Sequence, residues 1–390
     1  MLDLLEINSV DKIRKQKLGN LLKDIHSQIP KQPIDFTQVG YFEIKGGFLN
    51  GKKIKRLIIY MRSFGCEWML TDENGGCTMC GHLAGTARGE AISAKSYIKQ
   101  FDNIISDVNL DNIPMICIYN AGSFFNDKEM PPLAREYIYL KLASIESIES
   151  IIFESRPEYI NSDKIKKMRA IIPKKRIEIG IGLESSNEYI RQVCLNKGFR
   201  IEEFQNVIHV LKEYDIHLLA YISQKPPFVN EKLAIDDTIA SINWAFKNGV
   251  DVISIEPISV QKNTLVHLLY NMNLYRPPWI WSVMSVVKGV GEKGLIRIGG
   301  FEFFPPPDIC THNCPSCNDI CIDAIASYNA TNDISIVEEA LKRPCAKCKD
   351  TWIEDLKVNI SIQDNIDSFL NNYNKEALNE LLRAKLRSYP

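Results

Sequence analysis

Between residues 55 and 257 six short β-branched runs alternate with amphipathic stretches of helical length. The runs cover residues 55–61, 115–119, 150–154, 176–182, 217–223 and 251–257. Helical patterns lie between them at 94–106, 132–142, 162–170, 201–214 and 234–247. Such alternation specifies an α/β fold, because consecutive parallel strands need right-handed helical crossovers. Six units are too few for a closed eight-fold barrel. The expectation is a partial, open (β/α)6 barrel whose open side admits a large substrate. Residues 1–40 read as a helical N-terminal extension with a break at Pro30 and Pro33, and 41–290 as the barrel core. The alternation stops after about residue 290, so 291–355 read as a Cys-rich metal-binding region. Residues 356–390 read as a C-terminal helical extension, in which Leu378, Leu381, Leu382 and Leu386 form a stripe expected to dock on the core.

In folds of this kind ligands gather at the carboxyl ends of the strands. Here the first run leads into Gly65-Cys66, and Cys77-Thr78-Met79-Cys80 follows after ten residues. Three thiolates are one short of closing a tetrahedral zinc site or of fully ligating a four-iron cluster. A cluster with one open iron can hold an outside molecule. The other reading is a structural zinc loop completed by a neighbour such as His82.

Lys+Arg and Asp+Glu number 47 and 48, so no global field favours nucleic acid or an anionic membrane. No apolar run has the length of a membrane span, and Met1-Leu2-Asp3-Leu4-Leu5-Glu6 lacks the basic-then-apolar order of a signal peptide. Eleven cysteines, an odd number, then favour metal ligation in a reducing cytoplasm over a disulfide scaffold.

A cysteine trio after the first strand of a six-fold βα unit resembles the radical S-adenosylmethionine (SAM) superfamily. The C-x10-C-x2-C spacing departs from that superfamily's commonest C-x3-C-x2-C and is similar to the branch containing the elongator catalytic subunit. Further motifs together resemble one subfamily, the radical SAM component of archaeosine synthase (RaSEA), over roughly residues 40–355. They are Asn120-Ala121-Gly122-Ser123-Phe124, Glu154-Ser155-Arg156-Pro157-Glu158, Gly182-Leu183-Glu184 with Asn196-Lys197-Gly198, Lys225-Pro226-Pro227-Phe228, and Tyr275-Arg276-Pro277-Pro278-Trp279.

The resemblance implies a radical SAM barrel in which Cys66, Cys77 and Cys80 hold a [4Fe-4S] cluster and SAM chelates its open iron. An electron from a separate donor would cleave the sulfonium, and the resulting deoxyadenosyl radical would abstract a substrate hydrogen. Gly122 and Ser123 take the place of the family's glycine-rich motif beside the methionine amino group. Glu154, Arg156 and Glu184 become candidates for ribose or carboxylate contacts, against the plainer reading of salt-bridged strand ends. The implied substrate is tRNA carrying a lysine-adducted 7-deazaguanine, cleaved to leave the formamidine of archaeosine. The implied partner is a lysine-transferring, tRNA-guanine-transglycosylase-like enzyme. Another tRNA base, a peptide or a small metabolite remain alternative substrates, and a non-catalytic zinc-dependent RNA-binding scaffold is the alternative of another class.

A second set, Cys314-Pro315-Ser316-Cys317 and Cys345-Ala346-Lys347-Cys348, forms two C-x2-C knuckles 27 residues apart. That spacing suits a structural zinc ion, or alternatively a second iron–sulfur cluster. Cys310, His312 and Cys321 are possible substitutes within the set. On the substrate side Tyr275 and Trp279 offer faces for stacking on a base, and Arg276 a partner for phosphate or carboxylate. Lys225 offers a cation for a carboxylate at the barrel mouth. A hydrophobic lid is the competing reading of the aromatic motif. The basic run from Lys164 to Arg176 suits RNA backbone or, more commonly, a solvated helix face.

Overall fold

The computed structural model describes residues 7–71, 75–301 and 306–373. The leucine stripe expected at 378–386 lies outside the described residues. Each of the six runs is a strand of one eight-stranded sheet, ordered β1 to β8 in sequence. They are β2 (Lys52–Tyr60), β3 (Met115–Tyr119), β4 (Ser150–Glu154), β5 (Arg176–Glu184), β6 (His217–Gln224) and β7 (Val252–Pro257). These six pair in parallel with one another. Parallel strands are covered on both faces, so they read as continuous β-branched runs.

Two strands lie beyond the alternation. β1 (Tyr41–Leu49) pairs antiparallel with β2 through a two-residue turn. Asn50 and Gly51 both take positive φ there, 50° and 78°, the twist that a tight hairpin needs. β8 (Leu295–Ile298) pairs in parallel with β7 and carries the sheet past residue 290.

The N-terminal helix α1 (Ser9–Ser27) starts at a capping box in which Asn8 accepts from the Val10 and Asp11 N–H groups. A single turn, α2 (Glu67–Leu70), follows the first parallel strand. The crossovers are α3 (Ala94–Asp107), α4 (Pro132–Ser144), α5 (Ser162–Ile171), α6 (Ile201–Glu213) and α7 (Glu231–Asn248), then α8 (Leu265–Asn271) with α9 (Ile280–Val290). In α7, Asn230 accepts from the Leu233 N–H at the start, and Gly249 ends the helix in the left-handed region at φ 94°. One face of the sheet meets these helices through residues such as Ile116, Phe153, Ile179 and Leu218. The other face lines the barrel interior, with Ile58, Cys117, Ile152 and Leu219 as its apolar part.

The C-terminal part adds α10 (Pro315–Thr331), α11 (Ile334–Ala340), α12 (Ala346–Lys357) and α13 (Ile362–Asn372). α10 packs against β1, β2 and β8, so it covers the seam between the two edges of the sheet. The side of the half-barrel that the strand count leaves open is thus walled by a helix. Among the described residues no helix is long and apolar enough to cross a membrane.

Candidate active site

A cavity of about 1230 Å³ occupies the barrel interior, with Cys66, Cys77 and Cys80 all on its wall. The loop bearing them is fastened along its length. The Cys66 carbonyl accepts from the Met69 and Leu70 N–H groups as α2 begins. Thr78, between the other two cysteines, donates its N–H to the Leu195 carbonyl (3.1 Å) and its hydroxyl to the Cys194 carbonyl (2.8 Å). Its own carbonyl accepts from Leu265 at the start of α8 (3.0 Å). The Asn196 amide donates to the Gly76 carbonyl (2.7 Å), and the Trp68 indole donates to the Asn196 carbonyl (2.8 Å). The segment after β5 therefore clamps the ten-residue spacer, which accounts for Asn196 in the sequence pattern.

His82 also lines the cavity, and burial holds its imidazole below the usual range. A zinc ion bound at about 2.3 Å would draw its sulfurs to roughly 3.8 Å of one another. Among the described residues only Cys314, Cys317 and Cys345 bring their ligand atoms within 4.8 Å of one another. The cavity trio with His82 is not such a compact set.

Gly122 and Ser123 follow β3 on the same side of the barrel as Cys66. A Cβ on Gly122 would lie 3.4 Å from the Cys66 Cα and only 2.0 Å from Glu129 Oε2. Glu129 is fixed there, because Oε1 accepts from the Glu67 N–H (2.8 Å) and the Asn126 amide (2.9 Å), and Oε2 from the Ser123 N–H. Bare backbone at 122 is therefore a packing requirement. Gly122→Ala should force Glu129 from its donors and lower stability by about 1–3 kcal/mol, the cost of buried donors left unpaired. Thermal unfolding measures this, and an unchanged midpoint would refute the argument.

Glu154 ends β4, accepts from the Tyr221 hydroxyl (2.6 Å), and is pushed up to about 7 by burial. Glu184 sits at φ 66° beside a register shift in β5, and this bulge helps to aim its carboxylate at Lys197 and Ser223. The Lys197 Nζ–Glu184 Oε1 contact is 2.6 Å. Arg156 donates to Glu158 (2.5 Å) and to the Lys197 carbonyl (2.9 Å), and its guanidinium lies 5.0 Å over the Trp68 ring. All five of Gly122, Glu154, Arg156, Glu184 and Lys197 line the cavity. Ser123 is fully buried behind it, accepting from the Arg156 N–H. Sequence reasoning left Glu256 and Tyr221 out of the site, although both line the cavity. Glu256 accepts from the Ser254 hydroxyl (2.6 Å), and burial pushes it up to about 7. Its only signal is its place at the end of a strand.

The residues expected on the substrate side lie elsewhere. None of Lys225, Tyr275, Arg276 and Trp279 is on the cavity wall. The Tyr275 hydroxyl donates to the Lys225 and Ile258 carbonyls, and Lys225 Nζ pairs with Glu231 at 2.6 Å. Arg276 stacks 3.6 Å over Trp279 and donates to the Pro277 and His312 carbonyls. The Trp279 indole donates to Asp355 (2.6 Å). This packing matches the lid reading: the motif joins the barrel to α12. Along the basic run, Arg169 and Lys175 donate to backbone carbonyls, and Lys164, Lys167 and Arg176 meet carboxylates.

In the second set, Cys314 caps the start of α10 and Cys345 the start of α12. Their sulfurs are 3.6 Å apart. The Cys345 N–H points at the Cys317 sulfur, and the Cys314 N–H and the Trp281 indole point at that of Cys348, at 3.3–3.4 Å. Two helix N-termini thus face the sulfurs, an arrangement that favours thiolates. The Ser316 hydroxyl holds the Cys314 thiol down at about 6. Cys321 is buried and accepts from the Asn313 amide, while Cys310 and His312 face the barrel cavity.

No family model matches the chain. Archaeosine synthase subunit beta from Methanosarcina acetivorans is 30% identical over 87% of this chain and 96% of its own length. The chain belongs to that family. An uncharacterised protein of Methanocaldococcus jannaschii is 34% identical over 76% of this chain and 81% of its own. Among solved structures, a radical SAM methyltransferase from Sphaerobacter thermophilus superposes with a TM-score of 0.43 at 12% identity, over 73% of this chain and 82% of that one.

Proposed function

We propose that the enzyme cleaves the lysine adduct of a 7-deazaguanine in tRNA, leaving the formamidine of archaeosine. The observation that carries this is the meeting of Cys66, Cys77 and Cys80 with Gly122, Glu154, Arg156 and Glu184 on one cavity at the strand ends. The thiol trio, too loosely spaced for one ion, suits a [4Fe-4S] cluster, and Gly122 brings backbone to the cavity wall beside Cys66. When bound, that cluster with SAM supplies hydrogen abstraction by a carbon radical. The chain's own residues hold and orient. Glu184 offers an acceptor to a ribose hydroxyl, Gly122 and Ser123 let backbone approach the methionine end, and the α10 wall keeps water from the reacting centre.

The C-terminal cysteines fit a structural zinc ion, because a 3.6 Å sulfur separation is near the edge of a zinc tetrahedron. The designation of the relatives as a subunit beta supports a partner, which we take to be the lysine-transferring enzyme. A one-electron donor is also required. Anaerobically reconstituted protein should form 5′-deoxyadenosine from SAM after reduction. In a deletion strain, mass spectrometry of tRNA nucleosides should show archaeosine replaced by the lysine adduct. Unchanged archaeosine would reject the assignment.

A further inference from the structure

Opposite charges face each other across the barrel interior without pairing. Arg56 comes from β2, lines the cavity, and has its Nε buried with no partner. Among the described residues nothing accepts from its guanidinium. Its neighbour Arg297 differs, being held by both oxygens of Glu178 at 2.5 and 3.3 Å. The Arg56 stem is seated, since a Cβ on Gly47 of β1 would lie 3.2 Å from its Cδ. On other strands stand Glu154 and Glu256, each on the cavity wall and each accepting from one hydroxyl. Among the described residues neither carboxylate has a cation within salt-bridge distance, and neither reaches Arg56. Burial pushes both up to about 7, and the pull of Lys197 on Glu154 and of Arg56 on Glu256 does not offset it.

A buried charge without a counter-charge in contact costs several kcal/mol. Three such groups on one cavity point to a ligand carrying both signs at fixed separation. A phosphate would satisfy Arg56 and repel the two carboxylates. An amine would do the reverse.

We propose that the cavity holds a zwitterion subsite, in which Arg56 takes the carboxylate, and Glu256 with Glu154 takes the ammonium, of a free α-amino-acid end on the substrate. The inference rests on the function proposed above, because a lysine joined through its side-chain nitrogen keeps such an end. It assigns specificity as well: an unadducted 7-deazaguanine would leave all three charges unmet.

The test uses the full reconstituted chain saturated with SAM and left unreduced, so that the amino-acid end of SAM does not compete. The probes are Nε-acetyl-L-lysine, N-acetylcadaverine, which lacks the carboxylate, and 6-acetamidohexanoate, which lacks the α-amine. Calorimetry should show Nε-acetyl-L-lysine favoured over N-acetylcadaverine by about 10- to 100-fold, the worth of a charge-assisted hydrogen bond. Arg56→Gln should erase that preference and Arg56→Lys restore part of it. Glu256→Gln should weaken the lysine probe and spare 6-acetamidohexanoate. Equal wild-type affinities, no saturable binding, or a preference that survives both Arg56 variants would overturn the proposal. So would inorganic phosphate displacing the probe more strongly than its own analogues do. If Arg56→Gln fails to fold, the wild-type comparison and Arg56→Lys still decide. Formation of 5′-deoxyadenosine is measured separately, so failure of the radical reading and failure of the subsite give different results.

Discussion

Cys77→Ala should bring 5′-deoxyadenosine formation to the assay background while leaving the overall fold and the C-terminal cysteine set intact. The loss is complete because two remaining thiolates do not retain a cluster that three hold with one iron open. The fold survives because the neighbouring Thr78, and not Cys77 itself, fastens the loop to Cys194, Leu195 and Leu265. Iron content after anaerobic reconstitution should fall in step with activity, and thermal unfolding of the apoprotein should shift by less than about 1 kcal/mol, as for a half-buried side chain losing one sulfur. Retained SAM cleavage would remove Cys77 from the ligand set. Loss of activity with full iron loading would place its role elsewhere. Cys66 and Cys80 make the same prediction, since burial pushes both thiols up to about 12 and a positive centre is needed to draw off their protons.

Much of this arrangement is legible in the residues, and the exceptions have physical causes. The six parallel strands announce themselves because burial on both faces demands β-branched runs. β1 escapes notice because an edge strand with Tyr41, Phe42 and Ile44 exposed and glycines at 46 and 47 has no clean alternation. Its one signal was the Asn50-Gly51 pair, which specifies a tight hairpin. β8 is only four residues long and falls just past residue 290, where the alternation of runs and helical stretches has stopped.

Arg56 is the instructive miss at the site. It stands near the start of the β run 55–61, directly after Lys52, Lys53 and Lys55, and no strand-end motif marks it. Pleating turns Lys53 and Lys55 outward and Arg56 inward, so the same charge type meets opposite environments two atoms of backbone apart. The aromatic motif at 275–279 shows the converse. Its residue types suit base stacking, yet Asp355 and the carbonyl of His312, distant in sequence, had already claimed its donors. Residue chemistry is local; partner availability is not.

Removal of the proposed zinc from the C-terminal set should release α10 from the barrel seam without unfolding the sheet. Apparent binding energies of structural zinc are about 10–16 kcal/mol, more than a short helical region with few buried side chains of its own can replace. Between the two knuckles the buried apolar contacts are chiefly Ala324, Ile325, Tyr328, Val337 and Ala340. The cysteines at the starts of α10 and α12 hold these two helices together, and Trp281 of α9 is tied to the set through Cys348. Chelation, or Cys317→Ser, should therefore open residues 306–357 to proteolysis and change tryptophan fluorescence, while the products retain the β-sheet signature. Activity should fall as well, because α10 walls the cavity through Ile322, Ile325 and Asn329. An iron–sulfur cluster in this position would give a coloured protein whose absorbance bleaches with chelation even after Cys77→Ala, and that outcome would replace zinc by iron. Unchanged proteolysis in metal-free protein would be the stronger blow: it would mean that the seam is closed by packing alone, and that the two knuckles have a purpose other than holding the barrel shut.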